Sequence, residues 1–259
     1  MKIYSWNMLF GNSKLDRAFE FIAQTDFDIF CLQEVPEEFL ARLKTLPCSI
    51  AFCIDTKQPF KKRTRNIFMV ILSKYPIMAR GELSFPDYWP RLPLRTHLFI
   101  WLMRPFGFLK VHGHGALFAD IRIPNIQSVV RVFNLHLMLV HPSLRLKEFE
   151  TAMARRDPSL PTIVCGDFNI LEKPHITPLN WFLGGRVTDA LFYNSERTHI
   201  EKCFVEQELT NVLHGKITHS FSRSQLDHIL ISKTFSIKNA GVISGRFGSD
   251  HHPTRAELT

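Results

Sequence analysis

The order of elements legible in this 259-residue sequence predicts an α/β (α+β) fold in which two packed mixed β-sheets are flanked by helices. Three observations carry that expectation. Short apolar runs of strand length recur from one end of the chain to the other, amphipathic helices fall between them at irregular intervals, and several neighbouring strands stand close enough to pair as hairpins. A doubly wound parallel sheet would place a helix after every strand, which this chain does not offer.

The first strand is expected at Lys2 to Met8. A helix follows from about Lys14 to Gln24, because Leu15, Ala18, Phe19 and Ile22 recur at helical spacing and Asn12 or Ser13 can cap it. Asp28 to Gln33 reads as a buried strand, Glu37 to Leu46 as a helix entered through Pro36, and Ile50 to Ile54 as a further strand. Asn66 to Leu72 and Ile77 to Leu83 are expected to pair across a hairpin turn at Lys74-Tyr75-Pro76. Phe85 to Lys110 breaks the rhythm. Rich in proline and aromatics and without a clean period, it reads as an insertion, and such segments in compact domains are usually functional loops or lids. Strands at Ala116 to Ile123 and Val129 to Leu135, a helix at Leu144 to Arg155, a buried strand at Thr162 to Cys165 and a helix at Ile176 to Leu183 come next. Strands at Leu226 to Ile231, Ile237 to Ile243 and Thr254 to Leu258 close the chain, with Ser249 to Pro253 a loop between the last two.

No repeat, low-complexity linker or composition shift divides the sequence, so residues 1–259 are expected to form a single domain carrying the insertion at about 85–110. With 45% hydrophobic and 22% charged residues the composition excludes disordered and fibrous classes. A formal charge of +8 favours polyanionic partners, nucleic acid or anionic lipid, and Lys61-Lys62-Arg63 with Arg65 places basic groups beside an apolar strand. Five cysteines without CxxC spacing fit a reducing compartment. The opening MKIYSWNML lacks the apolar core and cleavage site of a signal peptide, and no apolar stretch is long enough to span a bilayer. A cytoplasmic monomer is the default expectation, with export by a signal-less route left open.

The chemistry lies at the ends of the expected strands, where a sheet holds a side chain rigidly and a loop leaves it open to substrate. SWN ends a strand at Asn7, LQE at Glu34 and NLH at His136; GDFN supplies Asp167 and Asn169, LDH supplies Asp227, and SDHH supplies Asp250 and His251. Phosphate ester hydrolysis needs a hard cation, an activated water and donors that hold the phosphate, and this inventory contains all three. Mg²⁺ commonly takes one or two carboxylates and keeps its waters, so Glu34 with an amide such as Asn7 suffices. Singly, each motif has a plainer reading: GDFN as a turn bonding its own backbone, NLH as a core histidine, SDHHP as a capped loop. Six of them in order at strand ends favour one shared site. No HExxH or paired CxxC supports zinc, no GxSxG supports a serine hydrolase, and His112 and His114 of VHGHG are expected to be structural or exposed.

In that order, and over nearly the whole chain, SWN, LQE, NLH, GDFN, LDH and SDHHP resemble the motifs of the endonuclease/exonuclease/phosphatase superfamily, which includes nucleases and neutral sphingomyelinase. The resemblance implies a four-layered α/β sandwich and a Mg²⁺-dependent phosphodiester hydrolase in which Mn²⁺ can substitute. Glu34 would be the principal metal ligand with Asn7 beside it, and Asp250 would serve a second metal position or orient its neighbours. Asp167 would orient or deprotonate the attacking water, Asn169 hold that water or a phosphate oxygen, His136 bond the scissile phosphate, and Asp227 pair with His251, which faces the phosphate. In similar proteins the strand holding Asn66 and Ser73 borders the cleft, so both, with Arg63, are candidate substrate contacts.

The charge favours a nuclease-like substrate. Yet NMLFGN and ADIRIPN lack the Arg and Tyr that abasic-site endonucleases of this superfamily carry there, which argues against that specialisation. The alternative is a sphingomyelinase-like phospholipase or phosphoinositide phosphatase working at an anionic or choline lipid surface. THLFIWLMRPFGFL, flanked by Arg95 and Arg104, is the segment that would enter it. The motifs specify phosphoester hydrolysis; the 85–110 insertion is expected to specify on what.

Overall fold

The structure is a computed structural model that describes residues 1–60, 63–104, 115–124, 126–192 and 194–259, without the side chains of 58–60 and 63. Its first unit is a strand–helix–strand crossover: β1 (Lys2–Asn7), α1 (Leu15–Gln24) and β2 (Ile29–Pro36), with β1 and β2 parallel. Ala18 and Ile22 of α1 are buried one turn apart, and Asp16 in the first turn opposes the positive end of the helix dipole. Asn12 precedes the helix proper, its Oδ1 accepting the Lys14 N–H at 2.8 Å rather than capping the first turn. A short α2 (Glu37–Leu43) starts immediately after β2 and turns Phe39, Leu40 and Leu43 inward.

β3 (Ser49–Phe60) and β4 (Arg63–Ser73) form a long antiparallel pair beside β2. The chain then leaves this sheet: β5 (Ile77–Ser84) does not pair with β4 but opens the second sheet, so Lys74-Tyr75-Pro76 is a crossover and not the expected hairpin turn. The reason is geometric. β4 lies between β2 and β3, so neither of its edges is free to accept β5.

After a 3-10 turn at Trp89–Arg91 and α3 (Leu94–Met103), β6 (Gly115–Ile121) and β7 (Val130–His136) extend the second sheet. A second crossover, β7 to α4 (Pro142–Met153) to β8 (Thr162–Asp167), repeats the parallel pairing of the first. The helix expected at Ile176 to Leu183 is regular only in α5 (Leu179–Phe182); α6 (Val187–Leu191), α7 (Ser195–Glu206) and β9 (Leu209–Asn211) complete a stretch for which no element was expected. β10 (Asp227–Ser232), β11 (Ile237–Val242) and β12 (Thr254–Leu258) follow.

The sheets are six-stranded, β11-β12-β1-β2-β4-β3 and β5-β6-β7-β8-β10-β9, each with its single parallel pair at the centre. They pack face to face through Ile3, Ile29, Met69 and Ile71 on one side and Val132, Ile163, Ile229 and Ile231 on the other. On the outer faces Trp6 and Phe30 of the first sheet pack with Phe39 of α2 beneath α1 and α2, and Phe133 of the second sheet packs with Phe149 of α4 and Phe204 of α7, giving the four-layered α/β sandwich. All are buried, each adding roughly 1.5–3 kcal/mol by leaving water. This arrangement brings the C-terminal ends of both parallel pairs to one edge. No helix among the described residues is long and apolar enough to cross a membrane.

Candidate active site

Five strand ends and one loop meet at that edge. Asn7 ends β1, and its side-chain NH₂ donates to Glu34 Oε1 at 3.1 Å and Asp167 Oδ2 at 2.9 Å, tying the two sheets together across the site. Its Oδ1 accepts the Leu9 N–H at 3.0 Å. Glu34 stands at a bulge, where the β2–β4 register shifts between Leu32 and Val35, with φ 55. A bulge re-aims a side chain that a regular strand would send elsewhere. The Phe10 N–H holds Glu34 Oε2 at 3.0 Å, and burial above all keeps the carboxyl above the usual carboxylate range, against the pull of His136.

Asp167 ends β8. The Asn169 N–H donates to its Oδ1 at 2.9 Å, a local turn, and leaves Oδ2 aimed at the cleft. The plain reading of GDFN as a local turn therefore accounts for Oδ1 and leaves Oδ2 to the cleft. Asn169, at φ 54, donates its amide to Leu137 O at 2.8 Å. Gly166 is demanded by the packing, since a Cβ there would fall 1.9 Å from Leu135 O at a φ of +146.

Two histidines bring their Nε2 atoms towards the same Asp167 oxygen. His136 Nε2 lies 3.9 Å from Asp167 Oδ2 and 3.8 Å from Glu34 Oε1; His251 Nε2 lies 3.6 Å from Asp167 Oδ2. Each is fixed from behind at Nδ1 by a buried carboxylate, His251 by Asp227 at 2.9 Å and His136 by Asp55 at 2.6 Å. Burial disfavours the cation in both rings. The surrounding carboxylates overcome it, Asp55, Glu34 and Asp167 for His136 and Asp227, Asp167 and Asp250 for His251, raising each to about 10. The same carboxylates favour the protonated form of each imidazole, in which Nε2 is a donor. Asp55 Oδ1 and Asp227 Oδ1 are buried without a hydrogen-bond partner, so each carboxylate serves its histidine through one oxygen.

The SDHH loop is anchored to β1. Ser249 Oγ donates to Asn7 O at 2.7 Å and accepts the His251 N–H at 3.0 Å, and Trp6 Nε1 donates to His251 O at 3.3 Å. Asp250 faces His219, whose Nε2 is 3.5 Å from its Oδ2. Burial opposes its ionisation, but His219 and His251 hold it down at about 2. Two sets of donor atoms lie close enough to hold a metal, His219 with Asp250 and His251, and Asp167 with Asp227 and His251. Asp227 and His251 are already bonded to each other, which marks the second set as a proton-holding pair beside Asp167.

The expected residues Asn7, Glu34, His136, Asp167, Asn169, Asp250 and His251 all line one cleft of about 720 Å³, with Asp227 directly behind His251. Ser73 does not reach it. It lies at the far end of β4, opposite Ile29 where β2 begins, with Oγ accepting the Tyr75 N–H at 3.0 Å. Asn66 is at the near end of β4 but not among the residues lining the cleft. Arg63 begins β4, and its side chain, like Lys61, Lys62, His112 and His114, falls outside the described residues.

Sequence reasoning missed Asp55 and His219. Asp55 follows the strand expected to end at Ile54, so the rule that polar residues at strand ends carry chemistry would have found it. His219 lies between β9 and β10, bridged to Ser224 and His251, with no motif around it. The motif neighbours prove structural: Gln33 of LQE donates to Asn134 Oδ1 of NLH at 2.6 Å, and Asn134 donates to Leu32 O and Val70 O, which clamps the sheets behind the site.

A two-sheet sandwich with two carboxylate-backed histidines facing a third carboxylate at its open edge has the architecture of a phosphoesterase. The sequence matches the Endonuclease/Exonuclease/phosphatase family over residues 4–251, and the chain belongs to that family, whose members hydrolyse phosphoesters. No curated protein is a significant match by sequence. Among solved structures, an endonuclease/exonuclease/phosphatase from Beutenbergia cavernae aligns over 100% of this chain and 71% of its own, with a TM-score of 0.67 and 17% identity. A mannosyl-6-phosphatase from Bacteroides thetaiotaomicron aligns over 100% and 99%, at TM-score 0.61 and 19% identity. A 3′ phosphatase from Neisseria, bound to a product DNA hairpin, covers 100% and 99%, at 0.61 and 18%. At these identities the likeness is one of fold.

Proposed function

We propose that the chain hydrolyses phosphodiesters by in-line attack of water, with a divalent cation, Mg²⁺ or Mn²⁺, at Glu34. The convergence of His136 Nε2, His251 Nε2 and the Asn7 amide on Asp167 Oδ2 carries this reading. Glu34 and Asp250 offer hard carboxylate oxygens in the same cleft, a donor set that suits these ions better than softer metals. Asn7 turns its NH₂ towards both carboxylates while its Oδ1 accepts the Leu9 N–H, so it orients Glu34 for the cation beside it. Half-buried and held above its ordinary range, Glu34 is a carboxylate that a cation would stabilise. When bound, the cation supplies charge neutralisation at the phosphoryl oxygens.

The protein's own groups do the rest. Asp167 Oδ2 orients the attacking water and takes its proton. The cationic His136 and His251 donate from Nε2 to the phosphoryl oxygens as negative charge builds, and Asp55 and Asp227 keep them charged and aimed. Asn169, fixed by Leu137 O, has its Oδ1 available to the water. The test is hydrolysis of bis(p-nitrophenyl) phosphate by the purified protein with Mg²⁺ or Mn²⁺, with and without chelator. Metal-dependent release that Asp167→Asn abolishes is expected; activity in the variant equal to the parent would overturn the assignment.

A further inference from the structure

The cleft is chemically divided. Its floor holds the carboxylates and histidines, whereas its walls are built from Trp89, Ile100, Met103, Met138, Leu179 and Phe221 among others. A sugar phosphate or nucleotide brings hydroxyls and base edges that need partners, and a wall of this kind would leave them unpaired. A hydrocarbon chain needs only apolar surface, and a volume of about 720 Å³ lies within the range of small-molecule sites.

The outer side of that wall is exposed and equally apolar. α3 turns Thr96 and Ile100 inward and Met103 to the cleft, yet on its other side Leu94, Leu98, Trp101 and Leu102 are 54–83% exposed. A helix that carries large apolar side chains on its solvent side as well as its buried side has no need of them in water, and such a cluster marks an interaction face. α3 is pinned in this attitude: Arg95 donates to Trp181 O at 3.0 Å and Gly185 O at 2.7 Å, and Phe99 packs on Phe182 with ring centroids 5.3 Å apart. Through α5 the face continues to Val187 and Leu191 of α6 and to Phe192, all at least 60% exposed. Exposed Arg91, Arg104 and Arg186 border it on a chain of formal charge +8, which complements an anionic surface. Phe221, 77% exposed, stands at the cleft mouth.

From this continuity we infer that α3 and α6 dock on an anionic phospholipid membrane and that the apolar wall receives the hydrocarbon part of an amphiphilic phosphoester, whose phosphate lies on the carboxylate–histidine floor. The inference rests on the proposed phosphoesterase reading and names the substrate class of the same site.

Two measurements on the full chain with Mg²⁺ test it. Protein should float with vesicles of phosphatidylcholine containing phosphatidylserine, and Leu98→Glu/Trp101→Glu should lower the floated fraction at least about tenfold. Val205→Glu, at an exposed apolar position on α7, should not change it. Across methyl, butyl and octyl p-nitrophenyl phosphate, KM should fall with chain length, by up to about fourfold per methylene. Hydrolysis with a flat chain-length response and no flotation would overturn the lipid assignment alone, whereas no hydrolysis of any ester would remove the phosphoesterase reading as well. If the face instead buries against a second copy, sedimentation will show a dimer that Trp101→Glu dissociates, without flotation, and the lipid assignment fails.

Discussion

The floor and the wall of the cleft are built on opposite principles. The floor is assembled from single residues at the ends of β1, β2, β7, β8 and β10, each locked by hydrogen bonds between 2.6 and 3.1 Å to a neighbour from another element. The wall comes largely from α3, the α5 region and the stretch after β7, held by apolar contact. Directional bonds fix atoms to the tolerance a reaction requires, while apolar packing fixes only shape and volume. One half of the cleft is therefore suited to setting a reaction and the other to selecting a substrate, and substitutions in the two halves should fail differently.

The largest separation is expected at Asp167. Asp167→Asn keeps the shape and the Asn169 turn but removes the acceptor for the water's proton, and should lower kcat by about 10⁴-fold with little change in Tm. A loss in KM with kcat preserved would show that the floor binds rather than reacts. Next come the two carboxylates behind the histidines. Asp227→Asn and Asp55→Asn should each cost about 10²–10³ in kcat, because each leaves its ring without the charge that holds it protonated. If Asp55→Asn were silent while Asp227→Asn was not, His136 would be a structural histidine and the floor would have one phosphate donor instead of two.

The same division explains what the sequence revealed. The floor was legible because its residues are polar groups interrupting apolar strands, so SWN, LQE, NLH, GDFN, LDH and SDHH mark themselves. Asp55 met the same strand-end rule, directly after the strand expected to end at Ile54, but no motif surrounds it; β3 in fact runs on to Phe60 through a register shift between Ile54 and Thr56. The strands were mostly placed within a few residues, but sheet membership was not. Lys74-Tyr75-Pro76 has the chemistry of a bend, and a bend does not say which edge the next strand will meet. α7 went unseen because its buried face rests on little more than Ile200 and Phe204, too few for a periodic signal. The wall was legible only as an oddity at residues 85–110: its aromatics announced a special segment, but tertiary packing decides which of them line the cleft and which face outward.

A smaller effect is expected in the wall itself. Ile100→Ala removes methyl groups that face the cleft, and should reduce the preference for octyl over methyl p-nitrophenyl phosphate by about tenfold. An unchanged ratio would mean that the hydrocarbon chain lies elsewhere, and the wall would then be only a cover over the floor.

The least effect on turnover is expected at the seam between the halves. β7 ends at His136 on the floor, and two residues later Met138 begins the wall; the Met138 N–H donates to Glu148 Oε2 of α4 at 2.8 Å. Glu148 is 1% exposed, and burial outweighs that hydrogen bond and the nearby cations, raising its carboxyl to about 8 from 4.5. The folded state therefore binds this proton more tightly than the unfolded chain does. Its contribution to stability is complete below pH 4.5, declines as pH rises, and is gone above pH 8, where an ionised carboxylate must be kept buried. Glu148→Gln keeps an acceptor for Met138 and never ionises, so its Tm should exceed the parent's at about pH 9 and match it at about pH 4. Parallel pH–Tm curves for the two proteins would show that Glu148 ionises freely in the fold, and the seam would have to be held by the packing of the wall alone.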